Sequence, residues 1–429
     1  MTPAHAGTPA TDEPAPGITL LISRPGEDPR QASHGYANLE HKVPISAETR
    51  FNVGSVAKQI TAHLVLLAAE EGRLDLDRPA DTLLPELRVP EITPADLITH
   101  HSGLRDAESL LPLAGYRDLD HYTSDDLLSV AGRQQQRAVP QGQFLYSNTN
   151  YLLLARLLER LHDRPFAAIA EDLLFGPLGM TASCFKVDPR EALPDTASAY
   201  EPSPGGWQHV AAPAVLPGPG SLWTTTGDLS RWLTHLHSLW TKNGTPNPHH
   251  AGFSGRSSDH SLALYGAGLY ALPDEVLHHG HEQGFAAATH ITRDGHQVIS
   301  LSNGGALRAD LIAEAASFAP VDAMAVIAQP PARLGVAPPA PSSRPAPERQ
   351  TELGRYACPE IPGSLRVTAA DGALYIWRRG TPSALIPTAT KTYQGEGMQL
   401  VLSDKGAGPD LGTFVLSMQR APALEYHLL

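Results

Sequence analysis

Apolar positions along this chain alternate between short runs bounded by turn formers and longer stripes at helical spacing. Gly17 to Ser23 reads as a buried strand; a turn at Pro25-Gly26 and a polar return toward Gly35-Tyr36-Ala37 make it a hairpin at a sheet edge. Ile60, Leu64 and Leu67 then recur at helical spacing, with Gly72 where a C-terminal cap falls. Thr93-Pro94 opens a short helix, Thr93 as N-cap and Pro94 as its first residue, that stops at Ser102-Gly103. Ser124-Asp125-Asp126 is another capped start, whose acidic pair suits a helix N-terminus and is assigned no chemistry. Leu153, Leu154, Leu157, Leu158 and Leu161 form the apolar stripe of a further helix, and Thr224 to Asp228 caps one running through Leu229, Trp232, Leu233 and Leu236. Ala286 to Thr292, an Asp294-Gly295 turn and Val298 to Ser302 predict a β-hairpin. Between these, residues 201–220 read as a long surface loop of the kind that forms lids, and 241–260 as polar and irregular.

The pattern changes after residue 327. Residues 328–348 are rich in proline, which predicts a stiff linker, and 349–429 carry strand signals alone: Leu365 to Thr368, a turn at Asp371-Gly372, Leu374 to Trp377, Leu400 to Leu402 and Thr413 to Leu416. The expected organisation is a disordered tail over 1–16, an enzyme-sized domain over 17–327, the linker, and a small all-β domain. At 429 residues the chain is long enough for both folded parts. A net charge of -13 gives no basic footprint for nucleic acid or an anionic membrane, which leaves a small molecule or peptide as the expected partner. The first residues lack a basic n-region and an apolar h-region, and no apolar run reaches the length of a membrane span, so a soluble cytoplasmic protein is expected. Cys184 and Cys358 cannot build a disulfide framework and are read as incidental.

Three stretches carry candidate chemistry. In Phe51-Asn52-Val53-Gly54-Ser55-Val56-Ala57-Lys58, a small-residue turn places Ser55 at a helix N-terminus and Lys58 three residues on, on the same helical face. That is the spacing of a nucleophile and its base, beside backbone N–H groups and a dipole that favour developing negative charge. The plainer alternative is an N-cap serine and a solvated lysine. Tyr146 and Asn148, two apart in an extended segment just before the Leu153 helix, point into one cleft: a phenol that exchanges protons with a lysine, and an amide that holds a substrate carbonyl. A buried Tyr and a capping Asn would explain them equally. In His278-His279-Gly280-His281-Glu282-Gln283-Gly284, a His and two glycines at the start of a strand let backbone and imidazole approach a ligand closely. Twenty histidines raise a metal alternative, but no His-Glu-x-x-His or cysteine ligand set is present, so no metal and no cofactor are expected.

Together Ser55-x-x-Lys58, Tyr146-x-Asn148 and His278-x-Gly280 resemble, in order and spacing, the motifs of the penicillin-recognising serine hydrolases. The branch is that of class C β-lactamases, D-aminopeptidases, D-Ala-D-Ala carboxypeptidases and esterases. Leu97 to Leu104, Pro177-Leu178-Gly179-Met180 and Tyr265-Gly266-Ala267-Gly268 also look like the family, over about residues 17–320. His278 stands where most of the wider superfamily has Lys, a form found in D-aminopeptidases and esterases; Lys391-Thr392 is a decoy, followed by Tyr393 and too late in the chain.

The resemblance implies an α+β fold, an antiparallel sheet flanked by helices plus an all-helical lobe, followed by a lipocalin-like barrel that either packs on the enzyme or tunes substrate choice. It implies that neutral Lys58, partnered by Tyr146, takes the Ser55 proton. Backbone N–H groups of Ser55 and His281, the residue after Gly280, form the oxyanion hole, Asn148 holds the acyl group, and His278 polarises Tyr146 or a substrate carboxylate. The expected function is hydrolysis of small amides, peptides or esters through a Ser55 acyl-enzyme, D-residue substrates included. One alternative is a penicillin-binding-protein-type thioesterase that cyclises a nonribosomal peptidyl group delivered as a carrier-protein thioester; another is a non-catalytic binding relative. No G-x-S-x-G elbow supports the competing serine hydrolase fold.

Overall fold

The computed structural model describes residues 14–117, 120–210, 215–242, 264–305, 346–403 and 411–429. The expected tail (but for 14–16), the polar stretch 241–260 (but for its first two residues) and the proline linker (but for 346–348) lie outside the described residues. The amino-terminal domain is built on an antiparallel sheet of β1 (Ile18–Ser23), β2 (Arg30–His34), β3 (Leu264–Gly266), β4 (Leu269–Ala271), β5 (Glu275–Glu282), β6 (Phe285–Thr292) and β7 (Gln297–Ser302), in the order β3-β4-β5-β6-β7-β1-β2. Residues 18–23 thus pair with the late strand β7, Ile18 opposite Ser302, and the predicted edge hairpin is the sheet's β2 edge. β6 and β7 are buried almost throughout, as strands covered on both faces must be.

Helix α1 (Ala57–Glu70) is the pivot of the helical layer. Its Gln59 is fully buried, donates to Thr289 of β6 (2.7 Å) and accepts from the indole of Trp232, so one amide joins sheet, α1 and the late helix. Helices α2 (Pro94–Ile98), α3 (Ala107–Leu110), α4 (Ser124–Ala131) and α5 (Asn148–His162) form a lobe, and α6 (Thr226–Lys242) packs on β7 and β1. The caps follow the expected chemistry, with small shifts. Thr93 and Asp96 form a full capping box, but α2 ends at Ile98, ahead of a left-handed His100 (φ 60°). The cap of α4 is Thr123, whose hydroxyl out-competes Ser124 because Asp126 closes a box with it. Asn148 is the first residue of α5 and not part of an extended segment, since Ser147 takes the extended cap position. Residues 201–220 do not form one loop: Ala199–Ser203 pairs with Gly206–Val210 as a hairpin, and 216 and 218–220 are buried. His278 lies inside β5 rather than at a strand start, with the Gln283-Gly284 turn after it.

The carboxy-terminal part is a closed barrel of β8 (Thr351–Ala357), β9 (Leu365–Ala370), β10 (Ala373–Arg378), β11 (Thr381–Ala389), β12 (Thr392–Gly395), β13 (Met398–Leu402), β14 (Thr413–Met418) and β15 (Ala421–Leu428), with β15 pairing back to β8. Lys391 sits in its β11–β12 turn and Thr392 opens β12. The barrel does not hang from its linker. Arg105, 1% exposed, ion-pairs with Glu360 (2.7 Å) and donates to the carbonyls of Pro422 (2.6 Å) and Ala423 (2.9 Å); Asp106 N–H donates to Arg420 O (2.9 Å). Arg133 donates to Pro359 O (2.8 Å), and one apolar cluster runs through both domains. Removing one member of a buried ion pair strands the other, at about 3–5 kcal/mol. Arg105→Ala should therefore lower the thermal unfolding midpoint of the whole chain and split the transition in calorimetry; an unchanged single transition would show that the apolar seam alone docks the barrel.

Candidate active site

The Ser55 turn is fixed from both sides. Phe51–Asn52 pairs with Leu222–Thr224, Val53 N–H donates to Leu222 O (3.0 Å), and the Asn52 side chain accepts from Gly54 N–H (3.0 Å). Gly54 takes a left-handed φ of 49°, and Gly54–Val56 forms one 3₁₀ turn that feeds α1. Lys58, in the first turn of α1, is 0% exposed. Its Nζ lies 2.9 Å from Ser55 Oγ, 2.8 Å from Asn148 Oδ1 and 2.8 Å from Pro219 O. Burial lowers its pKa to about 7, the charge of Glu108 working against this and that of Arg420 adding to it. The three partners are not equivalent. An amide oxygen and a peptide carbonyl only accept, so a neutral amine keeps its two N–H bonds on Asn148 and Pro219, and its lone pair is left to the Ser55 hydroxyl.

Asn148 is aimed by its own neighbours. Its Nδ2 donates to Glu108 Oε2 (2.5 Å), whose other oxygen accepts from Tyr122 OH (3.1 Å), which fixes Oδ1 toward Lys58. Glu108 lies on α3, directly after the Arg105-Asp106 seam. Tyr146 lies against His100 (ring centroids 4.3 Å apart), with Lys58 Nζ 5.1 Å and the Arg420 guanidinium 4.9 Å from its ring centre. Burial raises the phenol's pKa above its ordinary value, against a lowering by the hydrogen-bonding Ser55 hydroxyl. Tyr146 therefore keeps its proton at neutral pH and can hand one on.

In the third stretch, glycine is needed for approach. A Cβ on Gly280 would sit 1.9 Å from Val53 O and 3.1 Å from Ser55 N, and one on Gly54 would sit 2.8 Å from His281 O. β5 and the Ser55 turn thus pass backbone to backbone. His278 is buried; its Nδ1–H donates to His279 O (2.7 Å), which leaves Nε2 to accept from Tyr265 OH (3.2 Å). Burial, with the Lys58 charge adding to it, pushes its pKa down to about 3, so this imidazole is neutral. Its ring stands 6.4 Å from that of Tyr146. Burial raises Glu282 to about 7 and Asp106 to about 6, Glu108 adding to both.

All seven sequence-predicted positions, Ser55, Lys58, Tyr146, Asn148, His278, Gly280 and His281, converge on this cleft, the last two through backbone. Sequence reading missed four. Glu108 carries no motif, Pro219 falls in the stretch read as a lid, Tyr265 belongs to a family-like phrase, and Arg420 comes from the other domain. Among the described residues, no group of three or more His, Cys, Asp or Glu side chains is arranged to hold a metal ion, and no helix is long and apolar enough to cross a membrane.

This combination of fold and motif geometry is that of the penicillin-binding-protein-like hydrolases. The Beta-lactamase family profile matches residues 8–317, and the chain belongs to that family. A putative penicillin-binding protein, PbpX of Bacillus subtilis (strain 168), is 27% identical over 66% of this chain and 69% of its own. A D-aminopeptidase of Gluconobacter oxydans (strain 621H) is 28% identical over 51% of this chain, which spans only 42% of that relative. The octameric penicillin-binding protein homologue from Pyrococcus abyssi superposes with a TM-score of 0.63 at 21% identity, over 96% of this chain and 95% of its own, barrel included. At that identity the likeness speaks for the fold alone.

If Lys58 is the base, the rate of acylation should rise with pH through about 7 as the amine loses its proton. Glu108→Gln removes the negative charge that holds this pKa up, while still accepting from Asn148. The limb should then move to lower pH in stopped-flow acylation; a limb that stays put or moves up would separate Glu108 from Lys58.

Proposed function

We propose that this protein is a serine hydrolase that works through a Ser55 acyl-enzyme on small amide, peptide or ester substrates, D-amino-acid derivatives included. The observation that carries it is the hydrogen-bond inventory of Lys58: two obligate acceptors take its N–H bonds and direct its lone pair at Ser55 Oγ. Ser55 Oγ attacks the substrate carbonyl carbon as its proton passes to Lys58, and the tetrahedral oxyanion faces the backbone N–H groups of Ser55 and His281. Tyr146 relays the proton from Lys58 to the leaving group, which departs with the C–N or C–O bond pair. Water then attacks the ester carbonyl and gives a proton to Lys58; the acyl C–Oγ bond breaks, Ser55 Oγ takes that proton back and the acid is released. His278, neutral and tied to Tyr265, serves here by setting the wall beside Tyr146 and not by carrying charge. The D-aminopeptidase likeness supports the D-residue part of the reading.

A fluorophosphonate should add mass to the parent protein and not to Ser55→Ala in intact-protein mass spectrometry, and equal labelling of both would sink the assignment. Lys58→Ala and Tyr146→Phe should each slow turnover by roughly two to four orders of magnitude, the scale of general acid-base groups. Because they act on one proton, the double variant should lose far less than the product. A panel of a D-alanine amide, a short-chain ester, a cephalosporin and a peptidyl thioester separates hydrolase from thioesterase by which is turned over fastest.

A further inference from the structure

His100 sits behind the cleft in a costly state. Its backbone is left-handed (φ 60°), a conformation that a residue with a side chain rarely holds. The residue has no exposed surface, and its Nε2 is buried with no hydrogen-bond partner among the described residues. The ring is walled by aromatic side chains: Tyr146, Tyr265, Tyr151 and Phe144 lie with centroids 4.3, 4.9, 5.2 and 5.8 Å away. A strained backbone and an orphaned polar atom persist only where the surrounding structure holds them in place, and such positions gather at functional sites.

The contacts of His100 converge on Tyr146. Its carbonyl accepts from Leu145 N–H (2.8 Å) and its Nδ1 accepts from Ser147 N–H (3.2 Å), so the residues before and after the tyrosine are both tied to one residue. The imidazole also lies against the Tyr146 ring, with 38° between their planes. Nδ1 takes a second donor, Asn150 Nδ2 (3.0 Å), whose amide is oriented by Ser102 Oγ donating to Asn150 Oδ1 (2.7 Å). With two N–H groups aimed at Nδ1, that atom carries no proton, and the ring is the neutral Nε2–H tautomer. Burial, with the Lys58 charge adding to it, holds the pKa of His100 well below the ordinary range, so the clamp does not titrate near neutral pH. Ser147 caps α5 without a side-chain capping bond, which leaves His100 to anchor the chain at this corner. The phenol held there hydrogen-bonds the Ser55 hydroxyl.

We propose that His100 is the positioning residue of Tyr146: it clamps the peptide groups on both sides of the tyrosine and backs its ring, and so keeps the phenol at Ser55 without itself touching substrate. This rests on the proposed hydrolase reading, in which Tyr146 hands a proton to the leaving group. His100→Gly keeps the left-handed backbone but removes the ring and Nδ1, whereas His100→Asn tolerates that backbone and returns an acceptor, its Oδ1. On a D-alanine amide, kcat of His100→Gly should fall roughly tenfold to a hundredfold, the scale of a misplaced catalytic group, with KM little changed, and His100→Asn should recover part of the loss. The matching nitrophenyl ester, whose leaving group departs without a proton, should acylate Ser55 of His100→Gly at close to the parent rate. In a Tyr146→Phe background, His100→Gly should slow the amide no further. Equal losses on amide and ester, or the full His100→Gly loss on top of Tyr146→Phe, would overturn the assignment, because a general loosening of the cleft strikes both substrates. The tyrosine's place is also read without turnover, from the fluorine resonance of a fluorotyrosine placed at residue 146: a narrow line in the parent, a shifted or broadened one in His100→Gly, and a line nearer the parent's in His100→Asn. An unchanged line in His100→Gly counts against the clamp. Thermal unfolding shows whether each variant is folded; should His100→Gly unfold, the smaller amide-selective loss in His100→Asn decides, and its absence overturns the clamp. The hydrolase reading fails separately, by a Tyr146→Phe that turns over the amide as the parent does while the fluorine line still answers to His100→Gly.

Discussion

A lysine with no exposed surface is the constraint on which the rest of the site depends. Burying an ammonium is costly unless it is fully partnered, and Lys58 sits where burial has brought the charged and neutral forms close to balance at neutral pH. Much of the surrounding architecture serves that balance. α1 places Lys58 one turn after Ser55; the first residue of α5 offers an amide oxygen; the buried segment before Leu222–Thr224 offers the Pro219 carbonyl. None of these could be supplied by side-chain rotation alone, because each depends on where a helix begins or a buried backbone runs.

The two glycines facing each other across the Ser55 turn express a second constraint. Two main chains here run closer than side chains permit, and Gly54 and Gly280 each clear the space for the other segment. The register of β5 on β6, His281 opposite Ala286, then fixes how far β5 slides along the turn. Sheet pairing more than 200 residues from Ser55 in sequence thereby sets the backbone that faces the Ser55 turn.

What could be read in the sequence was what depends on local chemistry. The Ser55–Lys58 spacing, the Thr93 capping box, the Leu153 stripe and the strands on either side of Asp371-Gly372 each follow from periodicity or turn chemistry within a few residues. What escaped was what depends on long-range closure. Glu108 is an unremarked acid in a four-residue helix until Asn148 is folded against it, and Pro219 looked like lid sequence because nothing local shows that its carbonyl points inward. The cap at Ser147 puts Asn148 in the first turn of α5 and out of the extended segment expected for it, though it and Tyr146 still face Lys58. Arg420 was hidden most completely, since a two-residue turn rich in polar side chains is the commonest thing a barrel has.

The seam between the domains also sets an order of assembly. Ser55, Lys58, Tyr146, Asn148 and Gly280 all belong to the sheet-and-helix body in which β7 pairs with β1. The hairpin bearing Arg420 is the last of the barrel, and the barrel closes only when β15 meets β8. During synthesis Ser55 and Lys58 therefore emerge long before Arg420, and a ribosome-bound chain presents the Ser55 cleft before the barrel hairpin can cover Tyr146.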